Sequence, residues 1–196
     1  METEVEKYQI IYADPPWLFE KGYWDRSQSK PDSHYPCMRT TEICDLGIAL
    51  RSCIAEPSHL YLWTTSRHLM DGDAVKVCKA WGYEPMNIIT WCKPQISLGY
   101  YFRNNSEHLI FAIRGKGLQT KNRTQGTWVI ADRLKHSQKP DEFYELIEKM
   151  SYKPRLELFA RQKREGWDAV GHGIDGRDIR VALAEKTALL EEVYGS

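Results

Sequence analysis

The sequence predicts a three-layer α/β fold, one mostly parallel sheet with helices on both faces. Apolar stretches near 8–13, 59–64, 86–92, 108–113 and 155–159 read as strands, and segments near 40–55, 67–81 and 140–151 read as helices. The two kinds alternate along the chain, as they do in a sheet covered by crossover helices. Two residues with chemistry, Asp14 and Arg161, fall just past apolar strands. Ligands of such sheets bind at the carboxyl ends of strands.

The first strand, Tyr8-Gln9-Ile10-Ile11-Tyr12-Ala13, is a short apolar run closed by a rigid turn, Asp14-Pro15-Pro16-Trp17. The strand at 59–64 is also nearly all apolar, which suits burial on both faces. In the helix at 140–151, Asp141 and Glu142 follow Pro140 as good first-turn residues. Its apolar positions Phe143, Leu146, Ile147 and Met150 recur at three and four, giving one buried face. Beyond Gly176 the chain carries Ile179, Leu183, Leu190 and Val193 near helical spacing. Residues 176–196 are therefore expected to form a helical extension that packs on its own core or on a partner.

A chain of 196 residues is expected to form a single domain spanning 1–196, long enough for a sizeable core. The sequence has no long uninterrupted apolar run, so no membrane span is expected. The acidic start Met1-Glu2-Thr3-Glu4-Val5-Glu6-Lys7 lacks the apolar stretch of a signal peptide. Five cysteines, at 37, 44, 53, 78 and 92, form no C-x-x-C pair. Reduced thiols in a cytoplasmic protein, with no metal site, are the simple reading. The formal net charge is zero, so the molecule as a whole is not drawn to nucleic acid.

The charge is unevenly placed. Between Arg103 and Lys139 there are eight cations against two acids. The middle of that segment, from Gly115 to Gly126, has no apolar period and reads as a loop. Arg103, Lys116, Lys121 and Arg123 are the candidates for phosphate contact, if the loop lies beside a base-binding cleft. A solvated surface loop is the competing reading.

The turn Asp14-Pro15-Pro16-Trp17 carries the most chemistry. Two prolines remove two backbone donors and hold φ near about −65°. The carbonyls around them then lack helix or sheet partners. Asp14 accepts hydrogen bonds and Trp17 offers a flat face, a set that suits a planar ring bearing an amino group. A strand ending in a Pro-rich turn, with Trp17 as a core plug, is the alternative.

Further segments decide between them. His34-Tyr35-Pro36-Cys37-Met38, His59-Leu60-Tyr61-Leu62-Trp63-Thr64-Thr65, Ala80-Trp81-Gly82-Tyr83, Ile88-Ile89-Thr90-Trp91-Cys92-Lys93, Glu107-His108-Leu109-Ile110-Phe111-Ala112-Ile113-Arg114-Gly115, His136-Ser137-Gln138-Lys139-Pro140-Asp141-Glu142 and Glu157-Leu158-Phe159-Ala160-Arg161 follow in order. With the DPPW turn they resemble the MT-A70 family of N6-adenine methyltransferases, from Tyr8 to about Gly173. The resemblance implies a Rossmann-like methyltransferase sheet in permuted motif order, the DPPW strand preceding the cofactor strand. It implies S-adenosylmethionine as methyl donor and Asp14, Pro15, Pro16 and Trp17 as the catalytic turn. Lys139 would pair with the methionine carboxylate, Glu157 would accept from a ribose hydroxyl, and Phe159 would line the adenosyl pocket. Arg161 would contact the ribose side, and Tyr35 would close over the target base.

The chain departs from the family pattern twice. Where better-known relatives carry Gly-Asn-Gln after the last strand, Gly171-His172-Gly173 stands here. His172 can still hydrogen-bond through a ring nitrogen, but Gly173 offers only backbone. Those relatives also place a cofactor-contacting acid well before the signature, and the stretch ahead of Asp14 is too short to supply it. The resemblance implies a nucleic-acid substrate, DNA favoured by the compact form and RNA possible, and allows a homo- or hetero-oligomer. The alternatives are an RNA adenine methyltransferase, a non-catalytic subunit that binds nucleic acid or supports a partner, and a small-molecule amine methyltransferase.

Overall fold

A computed structural model describes residues 6–19, 37–96, 101–134 and 138–194. Seven strands form one sheet in the order β5-β3-β4-β2-β1-β6-β7. In chain order the elements are β1 (Tyr8–Ala13), α1 (Thr40–Cys53), β2 (Ile54–Thr64), α2 (Ser66–Met70), α3 (Asp73–Ala80), β3 (Glu84–Cys92) and β4 (Ser106–Arg114). There follow β5 (Trp128–Ile130), α4 (Asp141–Met150), β6 (Arg155–Leu158), β7 (Asp168–Val170), α5 (His172–Asp175) and α6 (Ile179–Tyr194). Strand β1 runs parallel to both β2 and β6, and β6 to β7. Strand β4 is antiparallel to β2 and β3, and β5 is parallel to β3.

Side-chain alternation in the strands sorts the core into two layers. Ile11 and Ala13 of β1, Leu60 and Leu62 of β2, and Leu156 and Leu158 of β6 pack under α1, α3 and α6. Ile10, Tyr12, Tyr61 and Trp63 point the other way, onto Phe143, Leu146 and Ile147 of α4. The periodicity that marks α4 in the sequence thus buries the face it predicts.

Three boundaries differ from the sequence reading. The expected helix at 67–81 is two helices, because Gly72 adopts φ +75 and caps α3. A left-handed residue cannot continue a helix. Helix α1 stops at Cys53, and β2 begins at Ile54, well before the expected 59, because Tyr8 pairs with Ile54 across an irregular register. Strand β5 was not foreseen. Its three residues add to the sheet edge beside Thr90–Cys92.

The C-terminal helix packs on its own core. Ile179, Ala182, Leu183 and Leu190 are buried, and Thr187 donates to the Ala49 carbonyl of α1 at 3.1 Å. The Val193 side chain lies outside the described residues. Leu183 has no exposed surface. Leu183→Ala should therefore lower the unfolding free energy by about 3 kcal/mol in urea titration. A loss under about 0.5 kcal/mol would show that α6 is not docked.

Candidate active site

The signature turn sits at the carboxyl end of β1, between β2 and β6, with Ala13 opposite both Leu62 and Leu158. Helix α1 leads from β1 to β2 on one side, while β6 arrives on the other. Asp14 therefore emerges where the connections diverge, the ligand-binding position of open α/β sheets. The turn is more tied down than its sequence suggests. The Pro15 carbonyl accepts from the Trp17 amide at 2.9 Å, and the Pro16 carbonyl accepts from the Met38 amide at 2.8 Å. The expectation that these carbonyls lack helix or sheet partners is corrected for Pro16, whose bond to Met38 belongs to a parallel bridge. A second lone pair on each remains to accept from a ligand.

Trp17 is also more engaged than expected. It is only 6 % exposed and donates Nε1–H to the Trp63 carbonyl at 3.0 Å. One indole face is stacked on His68, with centroids 4.8 Å apart. His68 in turn meets Phe19 edge-on at 4.9 Å. The His68 ring is held at both nitrogens, by Thr65 Oγ1 at 2.9 Å and the Leu18 carbonyl at 3.3 Å. Trp17, His68 and Phe19 form an aromatic ladder whose outer rung, Phe19, is 58 % exposed. Phe19 thus exposes more ring surface than Trp17, although both line the first cavity.

Behind the turn lies a chain of four charges. Lys139 Nζ is 3.1 Å from Asp14 Oδ1 and 2.8 Å from Glu107 Oε2, and Lys93 closes the chain on the other Glu107 oxygen. The Lys139 ammonium also lies 4.6 Å above the Trp63 ring. Burial pushes the Asp14 carboxyl above its usual range; Lys139 opposes the rise and the neighbouring Glu107 adds to it. Burial pushes Glu107 up too, but Lys139 and Lys93 together carry it below its usual value. Burial would lower Lys139, yet its two carboxylates hold it above the ordinary lysine value. It remains an ammonium with two of its three donors used.

Two cavities meet at this charge chain. The first, of about 430 Å³, is lined by Asp14, Pro15, Pro16 and Trp17 on one side and Phe159, Arg161, His172 and Gly173 on another. The second, of about 690 Å³, is lined by Trp91, Lys93, Asn104, Ser106 and Arg133. Phe19, Thr65, Glu107 and Lys139 line both.

The glycines of Gly171-His172-Gly173 have a packing reason. A Cβ on Gly171 would lie 2.4 Å from the Ala160 amide nitrogen, and one on Gly173 would lie 2.5 Å from the Arg161 Cα. Both let the segment after β7 press against the turn that ends β6. Phe159 in that turn takes φ 62, the left-handed region, which carries its ring into the first cavity.

Several sequence-selected residues lie elsewhere. Glu157 lines neither cavity; it points to the α4 face of the sheet and accepts from Tyr144 Oη at 2.9 Å. Burial, the largest cause, with Asp14 adding to it, brings its carboxyl up to about 7 although the Tyr144 hydrogen bond opposes the rise. The basic loop is at the wrong end of the sheet. Strand β4 runs from Ser106, near Thr64 and Cys92, down to Arg114 opposite Ser58 at the start of β2. Lys116, Lys121 and Arg123 follow from there; Lys121 donates to the Glu148 carbonyl at 2.9 Å and Arg123 bonds Gln119. Those three are thus not brought to Asp14; Arg103 lines neither cavity, although the adjacent Asn104 lines the second. Tyr35 lies outside the described residues.

Sequence reasoning missed Glu107, Lys93, His68 and Phe19. Acids and lysines at the ends of otherwise buried strands, as at Trp91-Cys92-Lys93 and Glu107-His108-Leu109, were the available signal. Among the described residues no group of His, Cys, Asp and Glu could hold a metal ion, all five cysteines are free thiols, and no helix is long and apolar enough to cross a membrane.

A permuted Rossmann-like sheet with a DPPW turn at its switch point defines a methyltransferase fold. Residues 8–173 match the MT-A70 family, and the chain belongs to it. The type II methyltransferase M.MunI of a Mycoplasma species is 28 % identical over 195 residues, covering 90 % of this chain and 82 % of that protein. An N(6)-adenosine-methyltransferase MT-A70-like protein of Drosophila melanogaster is 27 % identical over 204 residues, 98 % of this chain but 31 % of that protein. The N(6)-adenosine-methyltransferase catalytic subunit METTL3 of Homo sapiens is 27 % identical over 181 residues, 87 % of this chain and 29 % of that protein. The chain therefore spans less than a third of these two adenosine methyltransferases.

Two tests follow from the geometry. Glu157 titrates near 7 folded and near about 4.3 unfolded, so between those values the folded state holds the extra proton. Its contribution to stability must fall as pH rises through that window. Glu157→Gln should gain stability relative to wild type as pH goes from about 5 to 8 in urea titrations; a pH-independent difference would show that Glu157 is not raised. The combined change of Lys116, Lys121 and Arg123 to alanine should leave methyl transfer within about twofold of wild type, since surface changes remote from a site are near neutral. A loss of tenfold or more would return the basic loop to the site.

Proposed function

We propose that this protein transfers a methyl group from S-adenosylmethionine to the N6 amine of adenine in DNA. The carrying observation is the pair of cavities that share the Lys139–Glu107 wall, with Asp14 bonded to Lys139 on the first cavity's side of it. One chamber suits a donor and the other a base, with a single carboxylate and prolyl turn beside the shared wall. The first fits an adenosyl amino acid. Lys139 has a third ammonium donor for a carboxylate, Phe159 offers an aromatic face, and Arg161 and His172 stand at the far side. S-adenosylmethionine, when bound, supplies an electrophilic methyl group on a sulfonium.

The protein's own residues orient the acceptor. The adenine must be out of the helical stack, because its N6 cannot meet a methyl donor inside a duplex. The second chamber receives it against Phe19. Asp14 and the remaining lone pair of the Pro15 carbonyl accept the two N6 hydrogens, which turns the nitrogen lone pair toward the first chamber. Orientation and removal from water supply most of the acceleration. The raised Asp14 carboxyl is a better proton acceptor than an exposed one, although the product ammonium is acidic enough to lose its proton to water. The exposed cations Arg67 and Arg133, which line the second cavity, support this reading as contacts for phosphates flanking the target.

DNA is favoured by the compact form of the chain, which matches most of the length of the type II methyltransferase M.MunI. RNA is the second reading, favoured by the relatives named for N(6)-adenosine. Transfer of labelled methyl from S-adenosylmethionine to unmodified DNA and RNA oligonucleotides, followed by nucleoside analysis, separates the two. N6-methyldeoxyadenosine is the expected product. Asp14→Asn, which turns an acceptor into a mixed donor–acceptor facing the amine, should cut transfer by about a hundredfold or more. Transfer to RNA alone would move the substrate, and full activity in Asp14→Asn would remove Asp14 from the mechanism.

A further inference from the structure

We propose that a cavity separate from the two already described holds the base next to the target adenine in the strand. The inference rests on the reading of the second cavity as the base chamber. This further cavity, of about 630 Å³, lies between the start of α1 and the corner joining α2 to α3. Arg39, Thr41 and Asp45 line it from α1, and Asp71, Asp73 and Lys76 line it from the corner.

Its position beside the base chamber comes from two shared side chains. Phe19 and Arg67 line both spaces, so they form the partition between them. A base held on one side of Phe19 therefore has its neighbour in the strand within reach of the other side. Phe19 is anchored edge-on against His68, whose buried ring also lines this cavity. An exposed ring fixed at its edge is a stacking platform, and stacking on it is tolerant of base identity. Arg67 stands at the same partition, where the phosphate joining the two nucleotides has to pass. Its Nε–H donates to Asp71 Oδ2 at 2.6 Å, which uses one of five guanidinium donors and fixes the fork.

The charges of the lining narrow what it can hold. Three cations, Arg39, Arg67 and Lys76, are matched by three acids, Asp45, Asp71 and Asp73. A wall balanced in this way does not select bare phosphate, as a basic groove would. Its carboxylates suit an exocyclic amine instead, as Asp accepts from the N4 amine of cytosine. Lys76 holds Asp73 at 3.0 Å, while Asp45 sits at an exposed position of α1. Cytosine and adenine carry such an amine. Thymine places its O4 there, and two acceptors then face each other. The cavity thus favours an amine-bearing neighbour and rejects thymine. Two successive bases held in two cavities cannot both remain in a duplex stack, so the substrate is single-stranded or opened over two nucleotides.

The test is methyl transfer to single-stranded oligonucleotides carrying one target adenine, with an abasic residue placed on its 5′ or its 3′ side. Wild type should lose about tenfold or more in kcat/KM for the abasic residue on one side, and less than about twofold on the other. On the sensitive side, thymine should cost about fivefold relative to cytosine. Thr41→Trp fills the cavity from an exposed helix position, and thermal unfolding checks its fold. It should lower transfer to the intact oligonucleotide and become indifferent to the abasic residue. Asp45→Asn keeps the side chain's size and should bring thymine within about twofold of cytosine. Indifference of wild type to abasic residues on both sides, an undiminished abasic penalty in folded Thr41→Trp, or an unchanged thymine penalty in Asp45→Asn would overturn the inference and leave the base chamber standing. Absence of transfer by wild type to any DNA or RNA oligonucleotide would overturn both.

Discussion

The Lys139 ammonium, held between Asp14 and Glu107, is the constraint on which the rest of the site depends. Four charges taken largely out of water are tolerable only because each has an opposite partner, and removing one leaves another uncompensated. Their sources are far apart in the chain. Asp14 follows β1, Lys93 follows β3, Glu107 opens β4 and Lys139 precedes α4. The strand order β3-β4-β2-β1 brings the three strand ends together at one end of the sheet, where Lys139 joins them. The aromatic layer beneath serves the same end. Trp63 carries Lys139 over its ring and donates Nε1–H to Tyr12 at 2.7 Å, so the ammonium rests on a fixed surface.

This arrangement divides the labour between the two faces of the sheet. On the α1 and α6 side, Phe159, His172 and the turn before α6 shape the first cavity, proposed for the donor. Toward β3 and β4, Trp91 and Lys93 shape the second, proposed for the base. On that reading the methyl group has to cross only the boundary between them. The aromatic ladder from Trp17 through His68 to Phe19 ties the entry of the second cavity to the same turn that carries Asp14. Displacing the turn would therefore disturb both cavities together.

Much of this was legible in the sequence, and the failures have physical causes. Strands announced themselves because both faces of β1 and β2 are buried, leaving Ile10-Ile11-Tyr12-Ala13 and Leu60-Tyr61-Leu62-Trp63 as unbroken apolar runs. The polar beginning of β2, Ala55-Glu56-Pro57-Ser58, gave no such signal. Charge counts showed that residues 103–139 are basic but not which end of the sheet they occupy, since β4 carries the chain away from the site before Lys116, Lys121 and Arg123 appear. Lys139 was found through family resemblance, whereas its bond to Glu107 spans 32 residues and no local pattern encodes it. Gly173 looked like a lost side chain, yet at both Gly171 and Gly173 a Cβ would collide with the backbone of Ala160 or Arg161.

The most direct test of the central claim is calorimetric titration of S-adenosylmethionine into wild type and Lys139→Gln, with the folding of both confirmed by circular dichroism. If Lys139 joins the donor chamber to the catalytic carboxylate, wild type binds one equivalent and the variant binds about tenfold or more weakly. Equal affinity in a folded variant would contradict the placement of the donor against the Asp14–Lys139–Glu107 wall.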